Sequence, residues 1–296
     1  SALKRTKYDC ICKKIDFYEN VSVYVIKLPW SLGRILSLNK NKINAMINGK
    51  CRENGITECL VPRELSEVLS IDGFTRGSSR KEILYKLLIL NILKEIYSMK
   101  NIEISSVDVA IISGNNNEEL LCIVRLLSAL FKYITIISSN RESIDSEINK
   151  IYVDSGLSIG VTSDYRSGLK SADLIINLGD SNEHIFNSKI NPKALILNYG
   201  KLDINKILAE NTLIKGIEIA LPHNIDSKID KEIYQYYDKA EISLTILDHR
   251  FLNSDILNPF NIGISRKVSK QFEKDGWKIS GFIGRRRKLT VDEIVI

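Results

Sequence analysis

The chain has 296 residues, of which 44% are hydrophobic and 26% charged, and its 42 basic and 36 acidic side chains leave a net charge of +6. These are the proportions of a soluble globular protein with room for one large or two ordinary domains, and so small a cationic excess is not by itself a nucleic-acid signature. No apolar run reaches the roughly 18 residues that a membrane-crossing helix needs, and the opening Ser-Ala-Leu-Lys-Arg-Thr-Lys does not lead into a secretory apolar segment, so a cytoplasmic protein is expected.

Tyr8 to Phe17 and Val21 to Leu28 read as two strands of an antiparallel hairpin, with period-2 alternation at Val21, Val23 and Val25. Cys10 and Cys12 then share a face of the first strand. No His or further Cys pair stands at metal-ligand spacing, so the five cysteines (Cys10, Cys12, Cys51, Cys59 and Cys122) are expected as reduced thiols in the core and no metal is assigned. Leu32 to Asn48 has apolar residues near helical spacing, with Gly49 as a natural stop and a pattern able to resume to Glu53. Ile56 to Val61 reads as a strand, and Pro62 opens a short helix.

Asp72 to Arg80 is a polar, Gly-punctuated loop, where Arg76 and Arg80 would flank an anion site at the helix start near Ser79. Ser79 and Glu82 have capping-box spacing. Ile83 to Met99 is almost continuously apolar and predicts a long connecting helix covered on more than one side.

From Val107 the pattern becomes strand, tight turn, helix, strand. Val107 to Ile112 is an apolar run ending at Ser113-Gly114, Asn115 to Glu119 follow, Leu120 to Phe131 suits a packed helix, and Tyr133 to Ile137 is a second apolar run. A unit of about 30 residues in this order is a right-handed βαβ crossover with parallel strands. A helix over Glu142 to Val153, strands at Leu157 to Val161, Asp173 to Leu178, Ala194 to Asn198 and Leu213 to Ala220, and a short helical turn at Ser167 to Lys170 continue the alternation. After Ser227 the expectation changes to a polar helix (Lys228 to Lys239), a β-like run (Ile242 to Leu247), a charged helix (Ser265 to Asp275) and an end rich in Gly and Arg.

The segments DVAIISGNNNEELLCIVRLL, YITIISSNRES, SADLIINLGD and NPKALILNYG occur in that order. They resemble the nucleotide-binding domain of two-domain NAD(P)-dependent dehydrogenases, in particular the shikimate-dehydrogenase-like group. The resemblance covers about 100 residues and implies a small α/β domain, a linking helix and a Rossmann-like domain. The family's catalytic Lys and Asp find no matching motif here, so no catalytic residue is assigned.

Against the family's G-x-G-x-x-G the chain has Gly114, then Asn116 and Glu119 in place of the second and third glycines. Asn can adopt the left-handed conformation, so the turn survives. Glu118 and Glu119 make the phosphate position negative; two unit charges about 4 Å apart repel by roughly 4 kcal/mol at an effective dielectric of about 20. Ser138-Ser139-Asn140-Arg141 lacks the acid that holds a ribose diol, and Arg141 would instead meet a 2′-phosphate, selecting NADP.

Other groupings are weaker. Gly156-Leu157-Ser158-Ile159-Gly160 matches G-x-S-x-G but follows a helix and opens a strand, the reverse of a nucleophile elbow. His184 and His223 follow strands at the edge where open α/β sheets bind ligands, and His249 lies in the polar Asp248-His249-Arg250. Gly284 to Lys288 places four cations beside Trp277 and Phe282.

The fold expected is therefore α/β, a doubly wound, mostly parallel Rossmann-like sheet preceded by a smaller α/β domain. Residues 1–78 would form the small domain, 79–104 the connecting helix, 105–226 the Rossmann-like domain and 227–296 a C-terminal α+β extension. The function expected is that of a dehydrogenase-like protein with weakened or lost dinucleotide binding. NADP would be held by Gly114, Asn115, Asn116, Ser139, Arg141, Asn177 and Gly179, with a small-molecule ligand in the interdomain cleft. The alternative is a non-catalytic binder that uses the same scaffold, or an acidic partner held at Arg285, Arg286 and Arg287.

Overall fold

The computed structural model describes residues 10–19, 21–56, 59–65, 69, 74–179, 190–200, 211–251, 261–294 and 296. The chain forms two compact units, Ser1–Lys81 with Leu221–Asn253, and Glu82–Ala220 with Ser254–Ile296. The sequence boundaries placed everything after residue 226 in one extension, whereas this division gives its first part to the N-terminal unit and the rest to the second.

In the first unit β1 (Ile11–Tyr18) and β2 (Val21–Lys27) pair antiparallel with Ile15 opposite Val23. The single helix predicted over 32–48 is two, α1 (Leu32–Ser37) and α2 (Lys40–Glu53). Asn39 is the cause, because its side-chain oxygen accepts from the N–H groups of Asn41 at 3.0 Å and Lys42 at 3.4 Å, and a carboxamide is worth more as a cap than inside a helix. Gly49 does not stop α2; the chain turns at Asn54-Gly55, where Gly55 takes φ +64°. Ile43, Ile47 and Cys51, one face of α2, pack with Ile35, Val61 and Leu69. β3 (Cys59–Val61) pairs parallel with β4 (Phe74–Arg76), a strand where a loop was expected. α3 (Gly77–Leu87) begins at Gly77, so Ser79 is inside the first turn and not a cap; the side chains of Arg76, Ser79 and Arg80 lie outside the described part.

The long helix predicted over 83–99 bends at Leu88 between α3 and α4 (Ile89–Met99). Hydrogen bonds from Leu88 N–H to Leu84 and from Ile92 N–H to Leu88 cross the bend. Leu84, Leu87, Ile89, Ile92, Leu93 and Ile96 are all fully buried, which explains so apolar a helix.

β5 (Val109–Ile112), α5 (Asn117–Leu127), β6 (Tyr133–Ile137), α6 (Asp145–Ser155), β7 (Ser158–Thr162), α7 (Tyr165–Lys170), β8 (Leu174–Asn177), β9 (Leu195–Asn198) and β10 (Thr212–Ile214) follow. The strands form one six-stranded sheet in the order β10-β9-β8-β5-β6-β7, and every pairing is parallel, with Ile111 between Ile136 and Ile176. Renumbered from β5, that is the 3-2-1-4-5-6 order of dinucleotide-binding sheets, with its topological switch between β5 and β8. The doubly wound, Rossmann-like sheet is thus present. β5, β8 and β9 are buried at every residue, as parallel strands covered on both faces must be. Ser158 opens β7 after a helix, which is not the geometry of a nucleophile elbow.

The strand predicted over 213–220 is broken at Lys215. β10 belongs to the parallel sheet, whereas β11 (Gly216–Ala220) pairs antiparallel with β12 (Lys278–Ile283), itself in a hairpin with β13 (Lys288–Leu289). In the first unit the polar helix expected over 228–239 is replaced by α8 (His223–Asp226) and a 3-10 turn at Lys231–Gln235. Its charges turn to the β1–β2 hairpin instead, in the pairs Lys13–Asp230 at 3.2 Å and Lys27–Glu232 at 2.7 Å.

The β-like run 242–247 is helical, within α9 (Lys239–Phe251). Asp238 and Glu241 cap it reciprocally: Glu241 N–H donates to Asp238 Oδ1 at 2.8 Å and Asp238 N–H to Glu241 Oε2 at 3.1 Å. The buried Ala240, Ser243, Leu244 and Leu247 recur at helical spacing. The charged helix α10 (Ile262–Lys274) stands where the sequence places it. Among the described residues no helix is long and apolar enough to cross a membrane.

The fully buried Ile111 at the centre of the sheet contrasts with Ile11, 65% exposed. Ile111→Ala is expected to cost about 2–5 kcal/mol in urea unfolding, and Ile11→Ala to stay within about 0.5 kcal/mol of the parent.

Candidate functional site at the carboxyl edge of the sheet

The ends of β5, β6, β8 and β9 meet at one edge. Leu178 N–H continues the ladder to Ile112 at 3.0 Å, and Ser113 N–H bonds to Ile137 at 3.0 Å. At Gly114 a Cβ would run into the carbonyl oxygen of Leu178, and at Gly200 into that of Gly179; at Gly179 it would lie 3.2 Å from the Ser113 oxygen. Backbone meets backbone at Gly114 and Gly200, so the requirement for glycine there is steric, and at Gly179 the approach is tight.

Asn116 is the N-cap of α5, its Oδ1 accepting from Glu118 N–H at 3.0 Å and Glu119 N–H at 3.3 Å. Those are the amides that a phosphate at a helix start would take. The electrostatic expectation needs correction at Glu119, whose carboxylate is ion-paired with Lys86 of α3 at 2.5 Å, the two side chains only 13% and 22% exposed. Glu118 is exposed, and a charge in water at about 4 Å counts for only about 1 kcal/mol. The helix-start amides are thus occupied by Asn116, and the Glu119 charge is paired. Lys86 could have been suspected in sequence as a cation interrupting an apolar helix, but nothing local named its partner.

Beyond β6, Ser138 is buried and its Oγ accepts from Asn140 N–H at 3.2 Å. Ser139 and Arg141 are exposed, and the Arg141 guanidinium lies 3.4 Å from Asp145 one turn on. Asn117 Nδ2 donates to Ser143 Oγ at 3.0 Å, tying the start of α5 to this loop. Gly114, Asn115 and Asn116 after β5, Ser139 and Arg141 after β6, and Asn177 and Gly179 at β8 therefore lie at the ends of adjacent strands.

Asn177 is 1% exposed. Its Nδ2 donates to Asn198 Oδ1 at 2.7 Å and to the Gly179 carbonyl at 3.3 Å, and its Oδ1 accepts from Gly179 N–H at 3.2 Å. Asn198 Nδ2 donates in turn to the Gly200 carbonyl at 2.9 Å. Next to them Tyr85 and Tyr199 stack with ring centroids 4.4 Å apart, and burial holds both phenols well above their ordinary pKa. Such carboxamides and un-ionised phenols orient and hydrogen-bond; they do not exchange protons with solvent near neutral pH.

The other candidates are dispersed. His223 is exposed at the start of α8 and His249 lies in the last turn of α9; His184 is outside the described residues. In the β12–β13 hairpin Arg287 pairs with Glu293 and Lys288 with Glu218, leaving the cationic cluster less charged than its sequence suggests. An open groove of about 300 Å³ beside α7 is lined by Asp108, Tyr133, Thr135, Gly160 and Ser171. It runs from Asp108 and Tyr133 at the starts of β5 and β6 to Thr162 at the carboxyl end of β7. Among the described residues no three His, Cys, Asp or Glu side chains are grouped to hold a metal ion.

Gly114→Ala is expected to cost about 1–3 kcal/mol through overpacking against Leu178. Gly49→Ala, in a helix with open space around it, should gain about 0.5–1 kcal/mol; urea midpoints measure both.

No protein-family model matches the chain, and no curated protein does. Among solved structures the chain is similar to shikimate 5-dehydrogenase from Listeria monocytogenes in complex with shikimate and NAD, at 11% identity, over 54% of this chain and 65% of that one, with a TM-score of 0.27. It is also similar to L-tryptophan dehydrogenase from Nostoc punctiforme, at 11% identity, over 86% of this chain and 77% of that one, with a TM-score of 0.31.

Proposed function

We propose that the protein is dehydrogenase-like and takes NADP, weakly, at the carboxyl edge of its parallel sheet. The observation that carries this reading is the position of the turn Ser113 to Asn116, between β5 and α5 at the switch point, where sheets of this order hold the pyrophosphate. Arg141, one strand over, is the group for a 2′-phosphate. Its exposed pair with Asp145 is worth only about 0.3–0.5 kcal/mol and gives way easily.

The weakness has a stated cause. Two amides are already bonded to Asn116, and hydrogen bonds to a charged acceptor contribute about 1.5–3 kcal/mol each. Losing both lowers affinity by roughly two to four orders of magnitude.

A second reading, ligand binding without hydride transfer, is favoured by the carboxamides of Asn177 and Asn198 at this edge, which offer no acid or base. In that case NADPH binds and is not oxidised. An acidic partner at Arg285, Arg286 and Arg287 is its other form, tested by loss of capture when all three become Ala.

Fluorescence titration with NADPH separates these possibilities from no binding at all. Asn116→Gly frees the two amides and should tighten binding at least about tenfold, while Arg141→Glu should remove the preference for NADPH over NADH. No saturable response at millimolar NADPH in either the parent or Asn116→Gly would end the dinucleotide reading.

A further inference from the structure

Two thiols far in role from the carboxyl edge face each other in the first unit. Cys51 sits in the last turn of α2, buried, and Cys59 opens β3, half-buried. Their Sγ atoms are 3.3 Å apart. A disulfide needs about 2.05 Å, so each sulfur has to travel only about 0.6 Å, which a small rotation of each side chain supplies. The two elements are already fixed with respect to each other, because Cys51 and Val61 belong to the same core and Cys59 packs against it. Asn54-Gly55, with its left-handed glycine, turns the chain between them. Among the described residues no three ligating side chains come together to hold a metal ion.

We propose that Cys51 and Cys59 are a reversible dithiol–disulfide pair, oxidised by a low-molecular-weight disulfide to an intramolecular bridge between the end of α2 and the start of β3. The chemistry is two thiol–disulfide exchanges. One protein thiolate attacks the reagent's S–S bond, giving a mixed disulfide and releasing one thiol; the second protein sulfur then attacks the mixed disulfide, closing the bridge and releasing the other. The protein loses two electrons and two protons, and the reagent becomes two thiols. Because the attacking species is the thiolate, burial controls the rate. Desolvation first, and the hydrogen bond with Cys51 second, push the Cys59 thiol up to about 12. Oxidation is therefore slow near neutrality and accelerates steadily from about pH 7 to about pH 10. Cys12, whose thiol is raised by burial and by the nearby Cys51, is the competing partner that the test must separate.

The test uses the full chain incubated with oxidised glutathione at neutral and alkaline pH, then alkylated with iodoacetamide and measured by intact mass and peptide mapping. Two of the five thiols should escape alkylation, and the alkylated product should be lighter than the fully alkylated reduced chain by two carbamidomethyl groups, with the bridge mapped to Cys51 and Cys59. The rate should rise about tenfold per pH unit, and the oxidised form should unfold at higher urea than the reduced one. Cys12→Ser should keep all of this; Cys51→Ser and Cys59→Ala should each lose it. A bridge mapped through Cys12 or Cys10, a mixed disulfide that never closes, or five alkylated thiols after prolonged alkaline oxidation would each overturn the proposal.

Discussion

Where β5, β8 and β9 end, the backbone meets itself with no space for a side chain. Gly114 lies against the Leu178 carbonyl, Gly179 near that of Ser113 and Gly200 against that of Gly179. These contacts bring three strand ends within hydrogen-bonding reach, and they make the edge of the sheet a surface of peptide groups. Peptide groups buried this way must be paired. Asn177 and Asn198 do that, their carboxamides bridging to each other and to the carbonyls of Gly179 and Gly200. Glycine closeness and carboxamide pairing are thus two halves of one arrangement: the first creates the polar burial that the second satisfies.

The parallel sheet was legible because its strands are short, mostly apolar and bounded by Gly, Asn and Ser, as at Val109–Ile112 and Leu174–Asn177. Strands buried on both faces need no alternation, and helices between them force the parallel connection. Legibility ended where a short apolar run carried more than one periodicity. Ile242 to Leu247 alternates like a strand, yet Ala240, Ser243, Leu244 and Leu247 make a helical face, and the Asp238–Glu241 cap decides between them. Leu213 to Ala220 is apolar but for Lys215, Gly216 and Glu218, and only tertiary pairing shows that the chain leaves one sheet for another at Lys215.

The site divides in the same way. Gly114 was readable, because a tight turn after an apolar strand needs a residue without a side chain, whereas Asn116, read as a left-handed turn residue, is extended at φ -107° and caps α5. Neither the ion pair that neutralises Glu119 nor that of Lys288 with Glu218 was readable, since each joins residues far apart in sequence, and the nearer pair of Arg287 with Glu293 depends on the turn after β13. Charge read along the chain therefore misses the partners that the fold supplies at α5 and at the C-terminal hairpin. Asn116 takes two of the helix-start amides for its own cap, which ties this local sequence choice directly to the affinity proposed for a dinucleotide there.

Hydrogen–deuterium exchange of the full chain in millimolar NADPH tests this most directly. Slowed exchange confined to the peptides that contain Ser113 to Leu120, Ser138 to Glu142 and Asn177 to Gly179 is the result predicted. Unchanged exchange in all three, or protection confined to other segments, would contradict a dinucleotide site at the carboxyl edge.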